Sequence, residues 1–130
     1  MIKIIALTGK AGAGKTTVAK YLVEKYKYRR LRFADGIKNM LKLGLGISDE
    51  YIDGDKKEEP CPELGGVTCR HAMRTLGTEW GRDMIYPNIW VDALHRKLEW
   101  YISKDTTAYT KFVIDDLRFV NEAAYLDKLK

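Results

Sequence analysis

Lys3-Ile4-Ile5-Ala6-Leu7-Thr8-Gly9-Lys10-Ala11-Gly12-Ala13-Gly14-Lys15-Thr16 decides how this chain is read. The first six residues are short and mostly apolar, as a strand buried on both faces must be. Residues 9–16 then satisfy G-x-x-x-x-G-K-[ST] in full. The glycines permit positive φ and close approach of backbone to a ligand. Successive N–H groups turn inward to form an anion nest, and a helix starting near Lys15 brings its positive end to the same point. Val18, Leu22 and Tyr26 follow at i, i+4, i+8 and predict that helix. Gly9, Lys10, Ala11, Gly12, Ala13, Gly14, Lys15, Thr16 and Thr17 are therefore expected to bind ATP. Lys15 would reach the β- and γ-phosphates, and the Thr16 hydroxyl would hold Mg²⁺.

Working outward, Leu31-Arg32-Phe33-Ala34 is the candidate second strand, ended by Asp35-Gly36, and Ile37, Met40 and Leu41 carry helical spacing. Residues 44 to 68 are punctuated by glycine and proline and read as irregular, with Asp53 to Glu59 charged, mobile and able to close over a site. Cys69, Ala72, Met73, Leu76 and Trp80 form one apolar stripe. Asn88 suits the N-cap of a helix whose face is Val91, Leu94, Leu98 and Ile102. Ser103 to Thr110 is a polar connection, Phe112-Val113-Ile114 a buried strand ending in Asp115-Asp116, and a last helix begins near Asn121. Strands alternating with helices predict an α/β fold, a parallel sheet flanked by helices, in one domain over 1–130. Ligands in such sheets sit beyond the carboxyl ends of the strands. Thr8-Gly9, Asp35 and Asp115-Asp116 should therefore converge.

Magnesium takes oxygen ligands and accepts few from protein. Besides Thr16, an acid ending a buried strand is expected, and Asp115-Asp116 offers one, with strand alternation not telling which of the two faces the metal. Arg70, Arg74, Thr78 and Arg82 recur every four residues if the helix runs through Gly77 and Gly81. A guanidinium meets phosphate bidentately, so these arginines are candidates for holding an acceptor phosphate, against the plainer reading of a solvated helix face. Arg118, two residues after Asp116, is placed at the rim of the site. Trp80 and Trp90 suit a core as well as a base-stacking platform. Asp35 would accept a proton from a hydroxyl acceptor. A phosphate acceptor is already ionised at neutral pH and needs no base, so there Asp35 would orient water or a sugar hydroxyl.

Hydrophobic residues make up 45% and charged residues 32%, the balance of an ordinary globular chain. The net charge of +5 favours anionic partners. Lys25, Lys27, Arg29, Arg30 and Arg32 carry much of it and read first as a solvated helix end. With no RNP pattern or helix-turn-helix evident, nucleotides are preferred to nucleic acid. Cys61 and Cys69 lack zinc-type spacing and read as reduced thiols of a cytoplasmic protein. No apolar run is long enough to predict a membrane span.

The phosphate loop, Phe33-Ala34-Asp35, the run Thr75-Leu76-Gly77-Thr78-Glu79-Trp80-Gly81-Arg82-Asp83 and the run Asp116-Leu117-Arg118-Phe119-Val120-Asn121-Glu122-Ala123 together resemble the phage-type deoxynucleoside monophosphate kinases, over nearly the whole chain. The resemblance implies ATP- and Mg²⁺-dependent phosphoryl transfer to a dNMP and a fold similar to adenylate kinase. Asp116 matches the family's strand-end acid. Arg118, Asn121 and Glu122 match the motif that follows, and Arg70, Trp80 and Arg82 fall in the acceptor region. Thr16 stands where relatives often carry an acid, and Val120 where they often carry proline. The chain stops at Lys130, where relatives continue into another strand, so the sheet is expected to lack its C-terminal strand and to leave an edge open. Rival readings are a P-loop ATPase or nucleotide switch and a catalytically inactive nucleotide-binding fragment. A homodimer stays open, and phage origin would place the protein in host cytoplasm.

Overall fold

The computed structural model describes residues 2–10, 12–104 and 110–129. They form two compact units, residues 1–33 with 91–130 and residues 34–90. No described helix is long and apolar enough to cross a membrane.

The first unit is built on three parallel strands, β1 (Lys3–Ala6), β2 (Arg29–Leu31) and β3 (Lys111–Ile114), in the order β1-β3-β2. Helices α1 (Lys15–Tyr26), α5 (Ile89–Ile102, from Val91 onward) and α6 (Val120–Lys128) complete it. This is the α/β class expected. The central strand is apolar on both faces because both are covered, and Phe112, Val113 and Ile114 are buried. Leu31, Phe33, Val91, Leu94 and Leu98 pack with Phe112 and Ile114 into one core, each worth about 1.5–3 kcal/mol when fully buried. Helix α1 closes at Lys27, whose φ of 62° is the left-handed cap conformation.

Strand β2 lies two residues earlier than the sequence suggested, because its ladder residues are charged. Arg29 lies over the Tyr101 ring at 4.7 Å and Arg30 pairs with Asp115. The apolar pattern registered Leu31 and Phe33 instead. Phe33 lies beyond the ladder, where its N–H donates to Asp116 Oδ1 at 3.0 Å.

In the second unit, α2 (Asp35–Asn39) runs on as π-helical turns through Met40–Gly44, followed by α3 (Asp49–Ile52), a 3₁₀ turn (Pro62–Leu64) and α4 (Cys69–Arg74), which runs on as π-helix through Thr75–Ile85. The stretch read as irregular supplies a core of its own. Ile47, Ile52 and Cys61 are fully buried with Leu41 and Cys69. Both cysteines are free, and burial, then the neighbouring Cys61, pushes the Cys69 thiol up. Asp53 and Glu58 are paired within this unit, to Lys38 at 2.5 Å and Arg70 at 2.7 Å.

The helix after Arg74 does pass through both glycines, but in wider turns. Tyr86 N–H donates to Gly81 O, five residues back, at 2.9 Å. The glycines admit two side chains at backbone level. A Cβ on Gly77 would lie 2.7 Å from Ile37 Cδ1, and one on Gly81 would lie 2.7 Å from Trp90 Nε1. Trp90 Nε1 uses that closeness to donate to Gly77 O at 2.8 Å. Gly81→Ala should lower stability by about 1–3 kcal/mol through overpacking. Gly44→Ala, where a Cβ meets nothing within 4 Å, should be neutral or stabilising by up to about 1 kcal/mol. Urea midpoints of the two variants against the parent check both.

Candidate functional site

The parallel registers put the strand ends side by side. Ala6 and Leu31 both lie opposite Ile114, and Leu7 N–H donates to Ile114 O at 2.7 Å. The residues after β1 and β3 therefore leave the sheet at one edge. Thr8 Oγ1 crosses between them, donating to Leu117 O at 2.8 Å.

Past Thr8 the chain turns as the motif requires. Gly12 and Gly14 take φ of 83° and 92°, which L side chains rarely adopt, and Ala13 N–H donates to Lys10 O at 3.1 Å. Ala11 lies outside the described residues. Helix α1 starts at Lys15 with Gly14 as its cap. No side chain caps its first amides, and its first turn carries no acid. Those amides are the helix's positive end, left to an outside anion. Lys15 Nζ donates to Gly9 O at 2.7 Å and so lies folded against the loop. Thr16 and Thr17 are exposed beside it.

The two aspartates after β3 have different partners. Asp116 Oδ1 accepts the Phe33 N–H. Asp115 is 4% exposed, and its Oδ2 takes Arg30 Nη2 at 2.6 Å. Asp115 Oδ1 is buried with no hydrogen-bond partner, as is Arg30 Nε. A hard cation prefers oxygen ligands; of the oxygens here the Thr16 hydroxyl is exposed and the Asp116 carboxylate half-buried, while Asp115 is buried. Among the described residues no group of three His, Cys, Asp or Glu side chains is gathered for a metal.

Arg30 is the residue sequence reasoning missed. It was counted with a solvated helix end, a description that suits only Lys25 and Lys27, in the last turn and cap of α1. The usable signal was its register, since Arg30 lies opposite Val113, two residues before Asp115.

Asp35 lies four residues past β2, in the first turn of α2, and so belongs to the second unit. Arg118 is exposed, its guanidinium 5.6 Å from the Phe119 ring centroid, and Asn121 sits in the first turn of α6. Glu122 is 2% exposed, and its Oε1 accepts the N–H groups of Arg118 at 2.9 Å and Phe119 at 3.0 Å. That carboxylate caps α6 and fixes the backbone that carries Arg118.

The remaining acceptor candidates are all in the second unit. Arg70 pairs with Glu58, Arg74 with Glu79 at 2.8 Å, and Arg82 donates to Gly77 O at 3.1 Å and Thr78 Oγ1 at 3.2 Å. Trp80 is 36% exposed, its ring 6.4 Å from that of Trp90. The Arg70 and Arg74 pairs are solvent-exposed and worth at most about 1 kcal/mol each. Either guanidinium is thus cheaply released to an anion.

No protein-family model and no solved structure matches the chain. Among curated proteins it is similar to one of Acanthamoeba polyphaga mimivirus named "Putative deoxynucleotide monophosphate kinase", with 35% identity over 137 aligned residues, 97% of this chain and 69% of the viral protein.

Glu122→Ala should destabilise the protein by about 1–3 kcal/mol, because two amides lose a charged acceptor. Glu122→Gln, which keeps one acceptor, should lose less. Urea denaturation measures both. Unchanged stability with a raised KM for an acceptor nucleotide would instead give Glu122 a ligand-binding role.

Proposed function

The chain belongs to the deoxynucleotide monophosphate kinase family, and from that premise we propose that it transfers the γ-phosphoryl group of ATP to a deoxynucleoside or nucleoside monophosphate, yielding the diphosphate. One observation carries this reading. The complete loop Gly9–Thr16 turns at the carboxyl edge of a parallel sheet, opening a helix whose amides have no side-chain cap, beside the acids that follow β3.

In this reading residues 9–17 cradle the ATP phosphates through backbone N–H groups. Lys15 exchanges the Gly9 carbonyl for the β- and γ-phosphates. That exchange is easy, because it trades one exposed neutral acceptor for a charged one. Thr16 and a strand-end aspartate would hold Mg²⁺, which would supply positive charge to offset that of the phosphates. Asp116 is the aspartate proposed for this task, being half-buried where Asp115 is buried and paired with Arg30.

An acceptor phosphate is already ionised and needs no general base. The work left to the protein is alignment and charge stabilisation. Arg118 holds the transferring or accepting phosphate at the rim. Arg70, Arg74, Arg82 and Trp80 receive the monophosphate, and Asp35 orients a water or sugar hydroxyl. Asn121 supports the turn beside Arg118.

A coupled ADP-release assay over a panel of dNMPs and NMPs tests the reading. ADP release should depend on one or more monophosphates. Lys15→Ala should lower it by at least about 100-fold with unchanged circular dichroism. ATP hydrolysis indifferent to every monophosphate would replace the kinase by an ATPase. ATP binding with no turnover at all would leave a nucleotide-binding protein.

A further inference from the structure

The parallel sheet has a second edge, at the amino ends of its strands, opposite the edge from which the phosphate loop leaves. Lys3, Arg29 and Lys111 each begin a strand. The registers hold them together, with Lys3 opposite Lys111 and Arg29 opposite the next residue, Phe112. Helix α5 ends at the same place. The Tyr101 ring lies 6.0 Å from that of Phe112 and 5.0 Å from that of Trp100. All of these residues belong to the first unit.

What the cations rest on sets this edge apart. Lys111 Nζ lies 5.5 Å from the Tyr28 ring centroid, the Arg29 guanidinium 4.7 Å from that of Tyr101, and Lys104 Nζ 4.2 Å from that of Trp100. Among the described residues no carboxylate pairs with Lys3, Lys104 or Lys111. Glu99, next to Trp100, is taken by His95 at 2.9 Å. In the second unit, by contrast, Lys38, Lys42, Lys56, Arg70 and Arg74 each meet a carboxylate. Positive charge is neutralised there and left standing here. Trp100 is 52% exposed, so much of an indole stays in water beside that charge.

An exposed cation–π contact is weak and exchanges readily for a charge-assisted bond to phosphate. Rings alternating with cations then match a single strand of nucleic acid, whose bases stack on π faces and whose phosphates take the cations. A duplex would offer its phosphates but keep its base faces stacked, and Trp100 would have no role. An anionic bilayer asks for a broad apolar face with cations on the other side, whereas here the cations lie on the ring faces themselves. No motif marks this surface in the sequence, because residues 28–29, 100–104 and 111 meet only through the topology.

We propose that the amino edge of the sheet binds single-stranded nucleic acid, with a base stacking on Trp100 and phosphates lying on Arg29, Lys104 and Lys111. The proposal concerns the edge opposite the phosphate loop and does not rest on the kinase reading.

The test is fluorescence anisotropy of a labelled oligothymidylate of about 12 nucleotides, within the usual span of such sites, titrated with the full chain at several salt concentrations. Log affinity should fall against log salt with a slope of about −1.4 to −2.1, two or three phosphates at about −0.7 each. Saturating ATP·Mg²⁺ should leave the oligonucleotide bound. Trp100→Ala should weaken binding roughly 5- to 100-fold by removing one stacking platform. Lys104→Gln and Lys111→Gln should each lower the slope by about 0.7. Lys42→Gln, in the second unit, should change neither affinity nor slope. Circular dichroism checks that each variant is folded.

If Trp100→Ala does not fold, Trp100→Leu takes its place with the same expected loss. No binding at low salt, full displacement by ATP·Mg²⁺, or a duplex of the same length bound as tightly as the single strand would each overturn the proposal. So would an unchanged affinity in the folded Trp100 variant together with unchanged slopes in both lysine variants. Binding to vesicles of anionic lipid but not to the oligonucleotide, lost in the same variants, would overturn it in favour of a membrane surface.

Discussion

Ile114 is the residue on which the first unit's geometry depends. Its Cα lies opposite Ala6 on one side and Leu31 on the other, and its carbonyl takes the Leu7 amide. A parallel ladder allows no independent adjustment of its three ends. Once Phe112, Val113 and Ile114 are buried, the phosphate loop, the segment after β2 and the paired aspartates must leave from one edge. The next residue after Ile114 is a carboxylate that is 4% exposed. A charge there is tolerable only with a partner, and β2 supplies it by placing Arg30 beside Asp115.

What the sequence made legible follows from which signals are periodic or chemically singular. The loop Gly9–Thr16, helix α1, the central strand and helices α5 and α6 each announce themselves by spacing or by residues with few other uses. Strand β2 did not, because two of its three residues are arginines. The second unit's core was hidden for a different reason. Ile47, Ile52 and Cys61 stand as single apolar residues among glycines, prolines and charges, with no repeat to count. Arg70, Arg74, Thr78 and Arg82 were expected at four-residue spacing on one helix; the helix does continue, but through Thr75–Ile85 its turns are π-helical, and Tyr86 N–H reaches Gly81 O five residues back. Nothing short of knowing that Ile37 and Trp90 press on Gly77 and Gly81 would have shown it.

The site residues divide in the same way. Sequence placed an acid after β3 but had no means to choose between neighbours on opposite faces of the chain. Their partners differ, Asp116 accepting an amide and Asp115 a guanidinium. Glu122 shows that a residue inside a motif can serve the motif's own backbone. Its carboxylate holds the amides of Arg118 and Phe119, and through them the direction in which Arg118 leaves the turn.

An anion site survives in a folded protein only if the protein does not neutralise it. Helix α1 begins at a glycine that has no side chain to cap its amides, and its first turn holds no Asp or Glu. Lys15 rests on a neutral carbonyl and not on a carboxylate, so its charge is shielded without being cancelled. Asp115 and Asp116, the acids after the neighbouring strand, are each engaged by a donor of β2 or the segment after it.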